Sequence, residues 1–200
     1  MITNINAHKV YWDKNWATRL GSKEIQGNAE KYQIIIDAIR QCEHLKESKI
    51  LEVGCGPGFV AYGLRKFWPN LDWVGVDISE IAVRSARLNG LNAICSSLEY
   101  FTTDEKFDSI WFLDSLEHII DQDKIVDKLS YLMKDNFTIF GNIPLYSSGH
   151  EIGYEHKIDI VVLRKFLRKC GAEHFWHDIY GSHGYPYMIF QSNISRKEKQ

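Results

Sequence analysis

The chain has 200 residues, 44% hydrophobic and 13% aromatic, with a net charge of −2 and a pI of about 6.4. That length and apolar content suit one domain with a sizeable core, and the near-neutral balance argues against the broad positive field that grips long nucleic acid. No run approaches the roughly 18 apolar residues of a membrane span, and the opening MITNINAHKVYWDK lacks a signal-peptide core, so a soluble cytoplasmic protein is expected.

Residues 1–27 carry YWDKNW, an aromatic cluster expected either to close as a lid over a ligand or to pack on a sheet. From Asn28, a plausible cap, NAEKYQIIIDAIRQCEHL places Tyr32, Ile35, Ile36 and Ile39 on one helical stripe. KILEV then reads as a buried strand, FVAYGLRKFW as a helix stopped by Pro69, DWVGVD as a second strand and SEIAVRSARLNG as a helix capped by serine. NAICS and FDSIWFL continue as strands, DQDKIVDKLSYLM as a helix, FTIFGNI as a strand and IDIVVLRKFLRKCG as a helix stopped at Gly171. The last two apolar runs, AEHFWHDIYG and YPYMIFQSN, have no helix between them and read as an antiparallel hairpin, with residues 193–200 as a flexible tail. The alternation implies an α/β fold, a mostly parallel sheet with helices on both faces. Cys42, Cys55, Cys95 and Cys170 form no CxxC pair and are expected to be small buried residues.

The stretch ILEVGCGPG, residues 50–58, sits where the first core strand ends. Glycines there allow backbone turns closed to other residues and let a ligand approach the main chain. A dinucleotide fingerprint would require a third glycine where Phe59 stands, which favours a different adenosine ligand over NAD. Asp77 closes the second strand at the distance where an acid reaches ribose hydroxyls.

Glu52, Gly54, Gly56, Gly58 and Asp77 together resemble the motifs of class I S-adenosylmethionine-dependent methyltransferases, over roughly residues 30 to 192. The resemblance implies a Rossmann-like, seven-stranded sheet ending in an antiparallel hairpin. It implies S-adenosylmethionine as cofactor, with Glu52 near the amino end of the methionine moiety, the glycine loop beneath the ligand and Asp77 on the ribose. Ile78 beside Asp77, Ser97 and Leu98 after the third strand, and Leu113 at the end of the fourth complete the implied cofactor set. Ser97 and Leu98 stand where the family often has an acid for the adenine amino group.

After the fourth strand, FLDSLEHI lacks the Asn/Asp-Pro-Pro motif of amino methylation, and no Pro-Cys nucleophile motif occurs. LEH resembles the branch holding ubiquinone-biosynthesis O-methyltransferases and small-molecule methyltransferases, some with an ExxEH metal site. Here Asp114, Glu117 and His118 match it, with His156 of GYEHKID as a fourth ligand. Were Asp114 to His118 a helical turn, their spacing would put three ligands on one face, suited to Mg²⁺ or Mn²⁺. Without metal, Glu117, His118 and His156 are the catalytic candidates, a histidine acting as base. The loop NIPLYSSGHEIGYEHK is expected to carry substrate contacts.

The expected activity is methyl transfer to an oxygen of a small-molecule acceptor, with nitrogen as an open alternative. Competing expectations are 2′-O-methylation of an RNA end, suggested by DxxEH, and a non-catalytic cofactor-binding module acting through a protein partner. Nothing in the residues speaks to oligomeric state.

Overall fold

The computed structural model describes residues 4–20, 29–119, 121–145, 157–180 and 186–195. Seven strands, β1 (Ile50–Val53), β2 (Trp73–Asp77), β3 (Ala93–Cys95), β4 (Phe107–Leu113), β5 (Met133–Pro144), β6 (Trp176–Tyr180) and β7 (Tyr187–Ser195), form one sheet in the order β3-β2-β1-β4-β5-β7-β6. The first five run parallel, and β7 lies antiparallel between β5 and β6. This is the expected α/β architecture with its closing hairpin.

Among the described residues six α-helices accompany the sheet: α1 (Ile5–Leu20), α2 (Ala29–Arg40), α3 (Phe59–Leu64), α4 (Glu80–Leu88), α5 (Gln122–Leu132) and α6 (Ile160–Lys169). Strand residues alternate between two cores. Ile50, Trp73, Trp111 and Phe140 pack with Ile35 and Ile39 of α2, Val60 and Leu64 of α3, and Val83 of α4. Leu51, Val74, Ile110 and Phe112 pack on the other face with Ile125 and Leu129 of α5 and Leu163, Phe166 and Leu167 of α6. The sheet is covered on both sides, which is why its central strands read as continuous apolar runs.

Helix α1 was not foreseen as a helix. The cap Asn28, His150, Glu151, Tyr154 and His156 lie outside the described residues. Strand β5 begins at Met133, directly after α5, earlier than the expected start at Phe137; a register irregularity between Phe107 and Ser109 accommodates the extra length. Strand β7 runs to Ser195, pairing with Asn136, so the expected tail cannot begin at residue 193. Cys55 and Cys170 are buried, but Cys42 is half-buried and Cys95 exposed at the sheet edge, correcting the expectation for those two. Among the described residues no helix is long and apolar enough to cross a membrane.

Candidate active site

The chain runs outward from β1 to β2 and β3, then returns to the other side of β1 as β4. Sheets of this kind bind ligands where the strand order reverses, beyond the carboxyl ends of the strands. There lies a cavity of about 120 Å³, lined by Gly54, Asp77, Ile78, Ser97 and Leu98 on one side and by Asp114, Ser115 and His118 on the other. Its roof is α1, through Ile5, His8, Trp12 and Trp16. A wider open depression, about 830 Å³, lies between Thr102, Asp104 and α5 residues Lys124, Asp127 and Tyr131; of the cavity-lining residues only Glu99 reaches it.

The glycine loop holds its shape by left-handed backbone. Gly54, Gly56 and Gly58 have φ of 69°, 52° and 74°, a region costly to any residue with a Cβ. Close packing reinforces the requirement: a Cβ on Gly54 would stand 2.5 Å from Ser115 Cβ, and one on Gly56 2.8 Å from the Trp16 ring. Gly58 faces Leu91 and the core instead. Only Gly54 of the three lines the cavity.

Asp77 ties this loop to the start of α4. Its Oδ2 accepts the Gly56 N–H and its Oδ1 the Ser79 N–H, both at 2.8 Å. Burial raises its pKa to about 6, against the opposing pull of these two hydrogen bonds. Each oxygen keeps acceptor capacity for a ligand hydroxyl. Ser97 Oγ is buried with no hydrogen-bond partner, an orphan group whose satisfaction a ligand would supply.

Glu52 lies behind the loop and does not line the cavity. Its Oε2 accepts the Trp73 indole N–H at 2.8 Å, and the indole crosses over Gly75, where a Cβ would stand 2.3 Å from the ring. Burial, with a smaller contribution from the Asp77 charge, pushes the Glu52 pKa up to about 8, the Trp73 hydrogen bond opposing. Leu113 is also buried in the core rather than in the cavity wall.

The expected one-faced DxxEH turn does not form. Asp114 takes a left-handed φ of 50°, and only Leu116–His118 follow as a single 3₁₀ turn. Asp114 is turned instead toward Lys31, with Oδ2 2.5 Å from Nζ, and toward Asn142, whose Nδ2 donates to Oδ1 at 2.6 Å. Glu117 is buried, its Oε1 3.8 Å from His118 Nε2. Among the described residues, which leave out His156, no group of three or more His, Cys, Asp or Glu side chains could hold a metal ion. His118 lines the cavity, its ring edge-on to Trp12 at 4.7 Å between centroids.

Two features escaped the sequence reading. Glu99, two residues past Ser97, lines the cavity. Helix α1 is docked by Asp13, whose Oδ1 accepts the Ser79 hydroxyl at 2.7 Å while Lys9 Nζ lies 3.0 Å from Oδ2. Burial alone would raise the Asp13 pKa, but the Ser79 and Lys9 hydrogen bonds, with the Ile81 N–H, hold it below the usual range. Ile5, His8, Trp12 and Trp16 recur at three- and four-residue spacing, the signal by which the helix could have been found.

Comparison with known proteins agrees with this geometry. The sequence is 30% identical over 109 residues to the ubiquinone biosynthesis O-methyltransferase of Coxiella burnetii, covering 51% of this chain and 46% of that protein. The chain thus spans less than half the length of that relative. The fold matches magnesium protoporphyrin IX methyltransferase (ChlM) from Synechocystis PCC 6803 with bound SAH, with TM-score 0.74 and 16% identity, covering 96% of this chain and 99% of that one. It also matches a possible histamine N-methyltransferase from Thermotoga maritima, with TM-score 0.67 and 18% identity, over 84% and 89% of the two chains. The methyltransferase-domain family profile matches residues 27–184, and with the glycine loop, Asp77 and the seven-stranded sheet in place, the chain belongs to the class I S-adenosylmethionine-dependent methyltransferases.

Proposed function

We propose that the protein transfers a methyl group from S-adenosylmethionine to an oxygen of a small molecule. The observation that carries this reading is the single cavity in which the Gly54 loop and Asp77 meet His118 across the sheet's switch point. Asp77 receives the ribose hydroxyls on its remaining lone pairs, Ser97 Oγ and Glu99 contact the adenine, and Ile78 and Leu98 supply apolar walls. Gly54 brings bare backbone under the ligand, while Gly56 and Gly58 hold the loop's path. Glu52 holds the Trp73 indole beneath the loop and, with its pKa raised to about 8, is not a counter-ion for the cationic amino end. When bound, S-adenosylmethionine supplies an activated methyl group on its sulfonium.

The chain's own share is positioning, exclusion of water and removal of one proton. His118 accepts the acceptor hydroxyl's proton, with Glu117 Oε1 3.8 Å from its Nε2. Trp12 and Trp16 line the α1 side of the cavity and would shield a bound ligand from water. An oxygen acceptor is supported by the ubiquinone biosynthesis O-methyltransferase similarity. The net charge of −2 counts against the RNA-end alternative.

A calorimetric titration with S-adenosylhomocysteine, with NAD as control, is the first test, followed by turnover on a panel of phenols and alcohols. Binding of S-adenosylhomocysteine alone, with turnover reduced 10²- to 10⁴-fold in His118→Gln, is expected, on the order of a general base's contribution. Binding of neither ligand would overturn the reading; binding without turnover on any acceptor would favour the non-catalytic module.

A further inference from the structure

Beyond His118, the carboxyl ends of β4, β5 and the start of β7 carry a polar cluster that the proton transfer does not use. Asn142 is fully buried in β5, and Asp114, which lines the cofactor cavity, accepts from its Nδ2. A carboxylate can only accept, so this contact fixes which end of the amide is nitrogen. The other end, Asn142 Oδ1, is buried with no hydrogen-bond partner. Tyr187, 5% exposed, has a hydroxyl in the same condition.

The two lie side by side. In the β5–β7 ladder Asn142 faces Ile189 and Pro144 faces Tyr187, so Asn142 and Tyr187 are diagonal neighbours on one face, within reach of an aromatic side chain. On that face α2 brings Lys31 one helical turn before Ile35. Its ammonium lies 5.4 Å from the Tyr187 ring and is paired with Asp114. The left-handed Asp114, a strained conformation for a residue with a Cβ, is what turns its carboxylate toward this pair.

We infer that Asn142 and Tyr187, braced by the Asp114–Lys31 ion pair, form the acceptor-recognition site and select a neutral hydroxyl-bearing molecule over a carboxylate; the inference rests on the methyltransferase reading. The site's charges cancel, since Lys31 is already matched by Asp114. Burial, with the Asp114 and Tyr180 charges adding, pushes the Tyr187 pKa up to about 12, so its hydroxyl keeps its proton. A second hydroxyl of the acceptor, distinct from the one whose proton goes to His118, can donate to Asn142 Oδ1 and accept from Tyr187. A carboxylate has no proton to give the amide oxygen and would set its charge against Asp114. Leaving a buried amide oxygen unpaired is the penalty by which such sites reject analogues.

The test uses phenol and benzoate as probes, followed by NMR on the protein saturated with S-adenosylhomocysteine and again on the free protein. Phenol is expected to bind at least fivefold more tightly than benzoate and to shift the Asn142 side-chain amide signals. Tyr187→Phe removes only an unpartnered oxygen, so it should fold normally, bind S-adenosylhomocysteine as wild type and lose at least threefold in phenol affinity. Asn142→Leu should lose more. Benzoate binding as tightly as phenol, unchanged phenol affinity in Tyr187→Phe, or no phenol binding would overturn the inference. Failure of S-adenosylhomocysteine to bind would instead remove the methyltransferase reading, while the phenol comparison on free protein still decides the cluster.

Discussion

Where the chain leaves β1 it meets the cavity with backbone; where it leaves β4 and β5 it meets the far side with side chains. The cofactor half is made of left-handed glycines and amide N–H groups tied by one carboxylate, all within residues 50 to 99. The acceptor half gathers Lys31, Asp114, Asn142 and Tyr187 from four elements far apart in the chain. A ligand common to a whole family can be held by main chain, which tolerates change around it. An acceptor particular to one enzyme needs side chains, which can be exchanged one at a time.

If the cofactor half depends on backbone, adding a single methyl should damage it most. Gly54→Ala combines a φ of 69° with a Cβ 2.5 Å from Ser115 Cβ. We expect a loss of ~3 kcal/mol, the upper end for a strained backbone residue, and a Tm lower by roughly 6 to 12 °C, with binding of S-adenosylhomocysteine abolished. A Tm within 2 °C of wild type, as roughly the shift from a change under 1 kcal/mol, would show that the loop is softer than its packing implies.

Asp77→Ala ranks next, because it removes ligand contacts and the loop's tie to α4 together. Affinity for S-adenosylhomocysteine should fall by about 1.5 to 3 kcal/mol, the cost of a charge-assisted pair of hydrogen bonds. Calorimetry decides this, and unchanged affinity would take Asp77 out of the binding site.

Glu52 sharpens the contrast through pH. Its folded pKa of about 8 exceeds the ordinary 4.5, so between those values the folded chain holds a proton that the unfolded chain has released. Stability therefore falls as pH rises from about 4.5 to 8 and levels off beyond. Asp77, raised from 3.8 to about 6, adds a smaller decline over the lower part of that window. Glu52→Gln keeps an acceptor for Trp73 but cannot titrate, so its Tm should decline less steeply with pH; parallel curves for the two proteins would refute the assignment.

The same contrast explains what could be read from the residues. The order of strands and helices was legible because buried parallel strands are continuous apolar runs, and the glycine loop because its backbone geometry excludes other residues. Asp114 was read as one face of a helix, since spacing alone cannot reveal a left-handed φ that breaks the turn. Asn142 lay unnoticed inside FTIFGNI, because only the β5–β7 register sets it beside Tyr187 and only Asp114 orients it. Glu99 went unread because only Ser97 and Leu98 were considered after the third strand, and α1 because residues 1–27 were read only through the YWDKNW aromatics, although His8 is buried on that helix.

The smallest effect concerns the roof that spans both halves. A cavity of about 120 Å³ is below the ~300 Å³ at which ligand pockets begin, so we expect α1 to shift when S-adenosylmethionine enters. Trp16 lies on Gly56 and Trp12 against His118, and Asp13 pins the helix to Ser79. Asp13 is a quarter exposed, which screens its contacts, so Asp13→Ala should weaken docking by only about 1 kcal/mol. That corresponds to roughly fivefold more of the open state and so to a several-fold faster association of S-adenosylhomocysteine. The change should be visible in stopped-flow tryptophan fluorescence because Trp12 and Trp16 must move. An unchanged or slower association rate in Asp13→Ala would mean that the ligand enters by another route, and that the roof belongs with the acceptor half rather than serving both.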